Sequence, residues 1–399
     1  MYLRTKCSTR QCARGGSHCH PCGVNSSTIE IPAELLPADG RFGCGPSKVR
    51  EEQVDALVAA RGTILGTSHR QQAVKDVVGR VRSGLATLFD LPAGWEILLG
   101  NGGSTMFWDA ATFGLIDTRS QHLTFGEFSS KFAEAALSAP HLENPDVISA
   151  PPGDHPVARA CDSIDTYALT HNETSTGVAM HLERPDGARA DSLVIVDATS
   201  AAGGLSWTPS EVDVYYFAPQ KSFAADGGLW LAACSPLAIE RIERLASSDR
   251  WRPASLDLGI ALTNSRLNQT YNTPALATLV MLENQIEWML QNGGMPWVTQ
   301  RVTTSAKTMY SWADARAFAT PFVTDPSKRS SVVATIDISD DIDATTINAV
   351  LRTNGIVDTD SYRKLGRNQL RIGMFPAVDP SDIEALTACI DFVVERLHS

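Results

Sequence analysis

Long apolar runs are absent from this sequence, and basic charge is scarce. Every hydrophobic stretch is broken by glycine, proline or a charged residue before it reaches the roughly 20 residues of a membrane-spanning helix. Lysine and arginine number 34 against 45 aspartates and glutamates, a formal net charge of -11. That balance argues against a nucleic-acid surface or an anionic membrane as partner. We therefore expect a soluble, cytoplasmic enzyme or binding protein.

Cysteine is also scarce beyond residue 22, where only four are scattered over the chain, as reduced core thiols are: Cys44, Cys161, Cys234 and Cys389. The other four crowd the segment CSTRQCARGGSHCHPC. That segment offers zinc ligands but lacks two CxxC pairs and an apolar core to fold around a metal. We expect residues 1–28 to be a disordered extension, with a metal-binding module as the less favoured alternative, and no metal site elsewhere.

Strand-like and helical patterns alternate through much of the chain, from WEILLG to LWLAAC. This alternation predicts an α/β fold with a mainly parallel sheet that helices cover on both faces. Two long helical stretches follow, and then the order strand, helix, strand and closing helix. The last part therefore predicts a second, smaller α/β domain.

Three features stand where strands of the large sheet end, which is where such sheets bind ligands. GNGGST, residues 100–105, turns from a strand into a helix with small residues and two hydroxyls, a geometry that suits an anion. Asp197 ends the strand LVIVD, and Lys221 follows the strand VDVYYFAP. Taken singly, a glycine turn serves the backbone, an aspartate caps a turn and a lysine points at water.

Together the three features match what pyridoxal phosphate needs: a phosphate anchor, a carboxylate for the protonated ring nitrogen and an amine for covalent attachment. A lysine lodged beside apolar strands is desolvated, so its amine is available as a nucleophile and then as a proton carrier. The sequence therefore predicts Lys221 as the catalytic residue of a pyridoxal-phosphate enzyme, with Asp197 as the partner of the ring nitrogen.

Eight motifs indicate a known family: GPSKV, TSHRQ, GNGGSTMFW, HNETSTG, VDATSAAGG, APQKSFAADGGLW, NQTYNTPA and YRKLGRNQLRIGMFPA. In these motifs and in their order, the chain from residue 29 onward resembles the phosphoserine aminotransferases of actinobacterial type. These belong to the class-V group of fold-type I pyridoxal-phosphate enzymes. The resemblance implies a large cofactor domain at 42–290 and a small domain at 291–399, which the segment 29–41 joins.

The resemblance also implies the cofactor contacts. Ser104 and Thr105 match the phosphate-binding turn, and Gln220 matches a further phosphate contact. Thr174 matches the hydroxyl that bonds the ring oxygen of the cofactor. Phe128 falls where the family stacks an aromatic ring, often tryptophan, on the pyridine face.

Asn272 and Thr273 match residues that reach the cofactor phosphate of the neighbouring subunit, which implies a homodimer with shared active sites. The implied reaction moves the amino group of L-glutamate to 3-phosphohydroxypyruvate and gives O-phospho-L-serine and 2-oxoglutarate. This is a step of L-serine biosynthesis, and a second role in vitamin B6 synthesis stays open.

For the substrate, Arg371 matches the arginine that grips the α-carboxylate, a bidentate task that suits arginine better than lysine. Four further basic residues fall near the phosphate-recognition residues of the family: His69, Arg70, Arg363 and Lys364. The segment YRKLGR differs from the family in composition and spacing, so the sequence does not decide which of Arg363, Lys364 and Arg367 meets the phosphate.

Three other functions compete with the aminotransferase reaction that the resemblance implies. A cysteine desulfurase is a poor candidate because no cysteine lies between Cys234 and Cys389 to act from a mobile loop. A class-V aminotransferase with a non-phosphorylated 2-oxo acid acceptor stays an alternative, since the basic residues alone argue against it. A protein that binds pyridoxal phosphate without turnover is the other alternative.

Overall fold

A seven-stranded sheet, a three-stranded sheet and a short two-stranded sheet organise residues 29–398, which are the residues that the structure, a computed structural model, describes. The predicted N-terminal extension at 1–28 lies outside the described residues. The first half of the chain forms α1 (Glu51–Ala60), α2 (Gln72–Leu88), β1 (Glu96–Gly102), α3 (Ser104–Gly114), β2 (Ser120–Thr124), α4 (Glu127–Ser138), β3 (Asp146–Ser149), β4 (Thr166–Thr170), β5 (Asn172–Glu173), β6 (Val178–Ala179), β7 (Leu193–Asp197), β8 (Val214–Phe217) and β9 (Gly228–Cys234). The second half forms α5 (Pro236–Ala246), α6 (Leu258–Arg266), α7 (Leu276–Gln291), α8 (Gly294–Asp314), β10 (Ala319–Pro321), β11 (Val333–Ile338), α9 (Ala344–Thr353), β12 (Gln369–Gly373) and α10 (Pro380–Leu397).

The large sheet has seven strands in the order β1-β9-β8-β7-β4-β2-β3. β9 pairs antiparallel with both neighbours, and every other pairing is parallel. The carboxyl ends of β1, β4, β7 and β8 therefore meet at one edge of the sheet. The predicted fold class, α/β with a large mainly parallel sheet, is confirmed.

Helices cover both faces of this sheet, as the run LVIVD of β7 shows. Val194 and Val196 pack into the core on the face of α2 and α7, whereas Leu193 and Ile195 pack into the core on the face of α3, α5 and α6. Successive residues of a strand point to opposite faces, so a strand buried on both sides must be apolar throughout. This is why β7 reads as an unbroken apolar run.

The second sheet is antiparallel, with three strands in the order β10-β11-β12. Its core includes residues of α8, α9 and α10 together with Ile29, Ile31 and Phe42 from the start of the described chain. The backbone N–H of Gly373 donates to the carbonyl of Phe42 at 2.8 Å, which ties this start to the end of β12. The domain boundaries at 42 and 290 stay a prediction. Among the helices of residues 29–398, none combines the length and the apolarity needed to cross a membrane.

Candidate active site

A cavity of about 420 Å³ lies where the strands of the large sheet end. Its walls include the ends of β4 and β7, the start of α3 and the loop between β8 and β9. Seven residues that the sequence assigns to the cofactor line this cavity: Ser104, Thr105, Phe128, Thr174, Asp197, Gln220 and Lys221. The structure therefore brings together Phe128 and residues predicted from four separate motifs.

Lys221 stands in the loop from β8 to β9 with only 9% of its surface exposed. Burial lowers the pKa of its amine to about 8, so near neutral pH a fraction of the amine is uncharged. Its Nζ donates to the backbone carbonyl of Cys44. The next residue, Gly45, has φ +136°, and a Cβ there would fall 1.9 Å from that Nζ. The segment before α1 thus leaves room for the lysine only because residue 45 is glycine.

Asp197 ends β7 with its carboxylate held by donors on two sides. The indole Nε1 of Trp108 donates to Oδ2 at 3.1 Å, and the backbone N–H and hydroxyl of Thr199 donate to Oδ1 at 2.9 and 2.6 Å. The Thr199 hydroxyl also lies 2.5 Å from the hydroxyl of Ser104. These charge-assisted bonds fix the carboxylate and connect it to the start of α3.

The start of α3 is open to an anion. Its N-cap is Gly103, which has no side chain to bond the first N–H groups of the helix. Gly103, Ser104 and Thr105 all line the cavity. Free N–H groups and the positive end of a helix dipole bind phosphate groups well. The amine of Lys221, the carboxylate of Asp197 and this helix start together fit pyridoxal phosphate.

A second cavity, of about 820 Å³, adjoins the first and shares Gly45 and Pro46 with it. Arg371 of β12 lines it, and its Nη1 donates to the Thr174 carbonyl at 3.4 Å. The buried Nε of Arg371 has no hydrogen-bond partner within residues 29–398. A guanidinium with a donor to spare beside the lysine cavity suits a carboxylate ligand.

The three basic residues of YRKLGR differ in their surroundings. The ammonium of Lys364 pairs with Glu127 and lines a different cavity. Arg367 forms two bonds with Asp337, at 3.0 and 2.5 Å. Arg363 and Arg367 both line the 820 Å³ cavity, but in the described part of the chain only Arg367 of the two forms an ion pair. Arg363 is thus the one of the three whose charge is free to meet an anion in that cavity.

Of the predicted residues that do not line the Lys221 cavity of their own chain, four line neither the 820 Å³ cavity nor the one at Lys364, and they lie together elsewhere: His69, Arg70, Asn272 and Thr273. The Thr273 hydroxyl lies 3.2 Å from Nδ1 of His69, and Arg70 donates to the side chain of Gln269 at 3.0 Å. Burial and the charge of Arg70 lower the pKa of His69. The assigned roles of these residues stay predictions.

Trp108 and Thr199 donate hydrogen bonds to Asp197 but are not among the residues predicted from the sequence. Replacing Trp108 by phenylalanine keeps an aromatic ring against Phe132 but removes the indole N–H from the carboxylate. A hydrogen bond to a charged group contributes about 1.5–3 kcal/mol, so we expect Trp108→Phe to weaken cofactor binding about tenfold or more. Titration of the cofactor-free protein with pyridoxal phosphate measures this. Trp251→Phe, at a site 77% exposed, is the control and should match the wild type. Equal affinities of the two variants would contradict the role of Trp108.

Comparison with known proteins gives the family. Residues 161–360 match the family model described as Aminotransferase class-V. A phosphoserine aminotransferase of Nocardioides sp. strain JS614 is 59% identical, over 93% of this chain and 100% of that protein. One of Rhodococcus jostii strain RHA1 is 58% identical over the same shares. The crystal structure of a phosphoserine aminotransferase from Cytophaga hutchinsonii has the same fold, with a TM-score of 0.82 at 23% identity, over 88% of this chain and 99% of that one.

The fold, the site and the family match define a pyridoxal-phosphate-dependent aminotransferase of fold type I. Within that class, the chain belongs to the phosphoserine aminotransferase family. The predicted family, enzyme class and cofactor are thereby confirmed.

Proposed function

We propose that this enzyme transfers the amino group of L-glutamate to 3-phosphohydroxypyruvate, reversibly, to give O-phospho-L-serine and 2-oxoglutarate. The observation that carries this proposal is the arginine-lined cavity beside Lys221, because both substrates carry an α-carboxylate and a second anionic group. Arg371 and Arg363 line that cavity together. The names of the relatives at 58% and 59% identity point to the same reaction.

Lys221, Asp197 and Arg371 have separate roles in this proposed reaction. When bound, pyridoxal phosphate supplies the electron sink that lets the α-carbon of the substrate lose a proton. Lys221 binds the cofactor covalently and then carries a proton on its amine, for which a pKa of about 8 is well placed. Asp197 keeps the ring nitrogen protonated, and Arg371 binds the α-carboxylate of either substrate.

Phosphate recognition is assigned to Arg363 of the same chain. We infer that His69 and Arg70 of the neighbouring subunit complete it, because they cluster with Asn272 and Thr273 away from the cavity of their own chain. A phosphate group that meets two arginines and a histidine is distinguished from a hydroxyl by charge as well as by shape.

An amino-acceptor panel with glutamate as donor tests reaction and substrate together. We expect 3-phosphohydroxypyruvate to be the best acceptor by kcat/KM. Hydroxypyruvate, pyruvate and glyoxylate serve as acceptors that lack the phosphate. A faster reaction with one of these would replace the proposal by a class-V aminotransferase of a non-phosphorylated 2-oxo acid, and no turnover with any acceptor would favour a binding protein.

A shared active site requires a homodimer, and exposed apolar side chains near the cluster support one. Leu267 is 57% exposed and Tyr271 48% exposed, beside Asn272 and Thr273. Exposed apolar groups of this size are common at protein interfaces. We propose that this surface meets the cavity of a second subunit.

Mixing two inactive variants tests the shared site. A Lys221→Ala subunit and an Asn272→Ala, Thr273→Ala subunit form a mixed dimer in which one site carries both lesions and the other carries neither. Random exchange makes about half of the dimers mixed, so about a quarter of wild-type activity should return. The matched control mixes the Lys221→Ala subunit with a subunit that carries Lys221→Ala, Asn272→Ala and Thr273→Ala together. This mixture should restore no activity. Full activity of a monomer in sedimentation would rule the shared site out.

We also infer that the enzyme works in the cytoplasm and serves L-serine biosynthesis. Cys44, Cys161, Cys234 and Cys389 are all free thiols, which suits a reducing compartment. Three of them are buried as predicted, whereas Cys161 is exposed. Activity of the enzyme with the phosphorylated substrate of vitamin B6 synthesis is a separate arm of the acceptor panel.

A further inference from the structure

Glu173 is a carboxylate with no exposed surface, buried beside the cofactor cavity. Its Oε2 accepts from the backbone N–H groups of Phe128 and Ser129, at 3.1 and 3.0 Å, and from the Ser129 hydroxyl at 3.0 Å. Its Oε1 accepts from the N–H and the hydroxyl of Ser175, at 3.2 and 2.7 Å. Every one of these partners has a hydrogen to donate, so the arrangement suits an ionised carboxylate.

The carboxylate caps α4 from outside that helix. The N-cap of α4 is Gly126, which has no side chain of its own to bond the first N–H groups. A Cβ at Gly126 would fall 2.3 Å from Cγ of Glu173, so the close approach depends on glycine. Burial raises the pKa of Glu173, and a buried charge is a costly way to end a helix that a serine or asparagine could cap.

The carboxylate of Glu173 lies between two residues that line the cofactor cavity. Phe128 is in the first turn of α4 and lines one side of the Lys221 cavity, and Thr174 directly follows Glu173 and lines another. The hydrogen bonds of Glu173 thus connect the segment of the aromatic ring with the segment of the hydroxyl that the cofactor ring is expected to meet. The N–H of Glu127 adds one bond of 3.1 Å to the Ser175 hydroxyl. A displacement of α4 would move Phe128 relative to Thr174.

We propose that Glu173 is a positioning residue of the cofactor site, which fixes Phe128 and Thr174 at the spacing that the cofactor ring requires. This inference rests on the proposed cofactor contacts of those two residues. The negative charge of Glu173 also bears on the lysine. Burial is the largest influence and lowers the pKa of the Lys221 amine, and the charge of Arg371 lowers it further. Cys44 and Asp197 raise this pKa, and Glu173 raises it by the smallest of these contributions.

Glu173→Gln tests the proposal because it keeps the shape of the side chain but turns an N–H₂ group toward backbone donors. Since hydrogen bonds to a charged group are lost, we expect the affinity of the cofactor-free protein for pyridoxal phosphate to fall about tenfold to a hundredfold. Glu134→Gln removes an exposed charge from the same helix and should bind like the wild type. Unchanged affinity in a folded Glu173→Gln protein would overturn the proposal.

A second measurement tests whether the charge of Glu173 acts on Lys221. The pH dependence of acylation of Lys221 in the cofactor-free protein, followed by mass spectrometry, gives the pKa of its amine. Loss of the negative charge of Glu173 should lower that pKa in Glu173→Gln relative to the wild type and Glu134→Gln. A purely structural role would lower the melting temperature and leave the cofactor affinity of the folded variant unchanged, and that result would overturn the proposal. An unchanged pKa would refute the action of the Glu173 charge on Lys221.

Two controls keep the outcome decisive. If Glu173→Gln does not fold, Ser175→Ala should still lower cofactor affinity several-fold, because it removes the 2.7 Å bond to Oε1 and the 3.1 Å bond that the Ser175 hydroxyl accepts from the N–H of Glu127. Unchanged affinity would refute the role. Borohydride reduction of the wild type with pyridoxal phosphate should label Lys221. Labelling of a different lysine would refute the proposed site itself, whereas labelling of Lys221 with unchanged binding in the variants would refute only the role of Glu173.

Discussion

We expect turnover to fall by at least about four orders of magnitude when Lys221 is replaced by alanine, and we expect the protein still to fold. The amine is lost both as the point of covalent attachment and as the proton carrier. Among the described residues, no other lysine lines the cavity to substitute for it. The fold tolerates the change because removal of a buried amine also removes its desolvation cost.

Steady-state transamination measures the loss of turnover, and circular dichroism measures whether the variant still folds. Lys307→Ala, at an exposed lysine of α8, is the matched control and should keep wild-type activity. Asp197, Thr174 and the start of α3 remain in Lys221→Ala, so the variant should still bind pyridoxal phosphate, without a covalent link. Near-normal multiple turnover in a folded Lys221→Ala protein would end the assignment of Lys221.

Burial explains why most strands of the large sheet can be predicted from the sequence. Strands buried on both faces, such as β7 and β8, consist of unbroken apolar runs, so their ends and the functional residues there could be located. β2 is equally buried but contains Ser120, Gln121 and His122, and its polar residues concealed it. Each of these finds a partner, as in the bond of 2.9 Å between the Ser120 hydroxyl and the His122 ring, and such pairing cannot be read from one sequence.

The site shows the same division. Lys221, Asp197 and GNGGST could be predicted because each breaks a local pattern at the end of a strand. Trp108 lies in the helix that follows the turn GNGGST, but its contact with Asp197 depends on how that helix packs on the sheet. Glu173 looked like an ordinary polar residue after a strand, since only the fold brings α4 to its carboxylate. Contacts between distant elements are thus what the sequence leaves out.

The proposed preference for a phosphorylated acceptor depends on charges that the substrate without phosphate cannot use. Charge-assisted hydrogen bonds contribute about 1.5–3 kcal/mol each, so we expect two such bonds to favour 3-phosphohydroxypyruvate over hydroxypyruvate by about two to four orders of magnitude in kcat/KM. Arg363→Ala should reduce this ratio about tenfold to a hundredfold, and Arg70→Ala should also reduce it. Arg371→Ala removes the clamp on the α-carboxylate that both acceptors share, so it should lower both values and leave their ratio nearly unchanged.

Arg367→Ala is the control for Arg363→Ala, because Arg367 is in the same loop and its guanidinium is already engaged by Asp337. The ratio of the two kcat/KM values should survive that substitution. Lys364→Ala distinguishes the last candidate: its ammonium is paired with Glu127, so we expect the ratio to persist there too. A ratio that collapses in Lys364→Ala or Arg367→Ala and persists in Arg363→Ala would transfer phosphate recognition to the other residue. Equal use of both acceptors by the wild type would leave a general class-V aminotransferase, since the arginines would then serve only carboxylates.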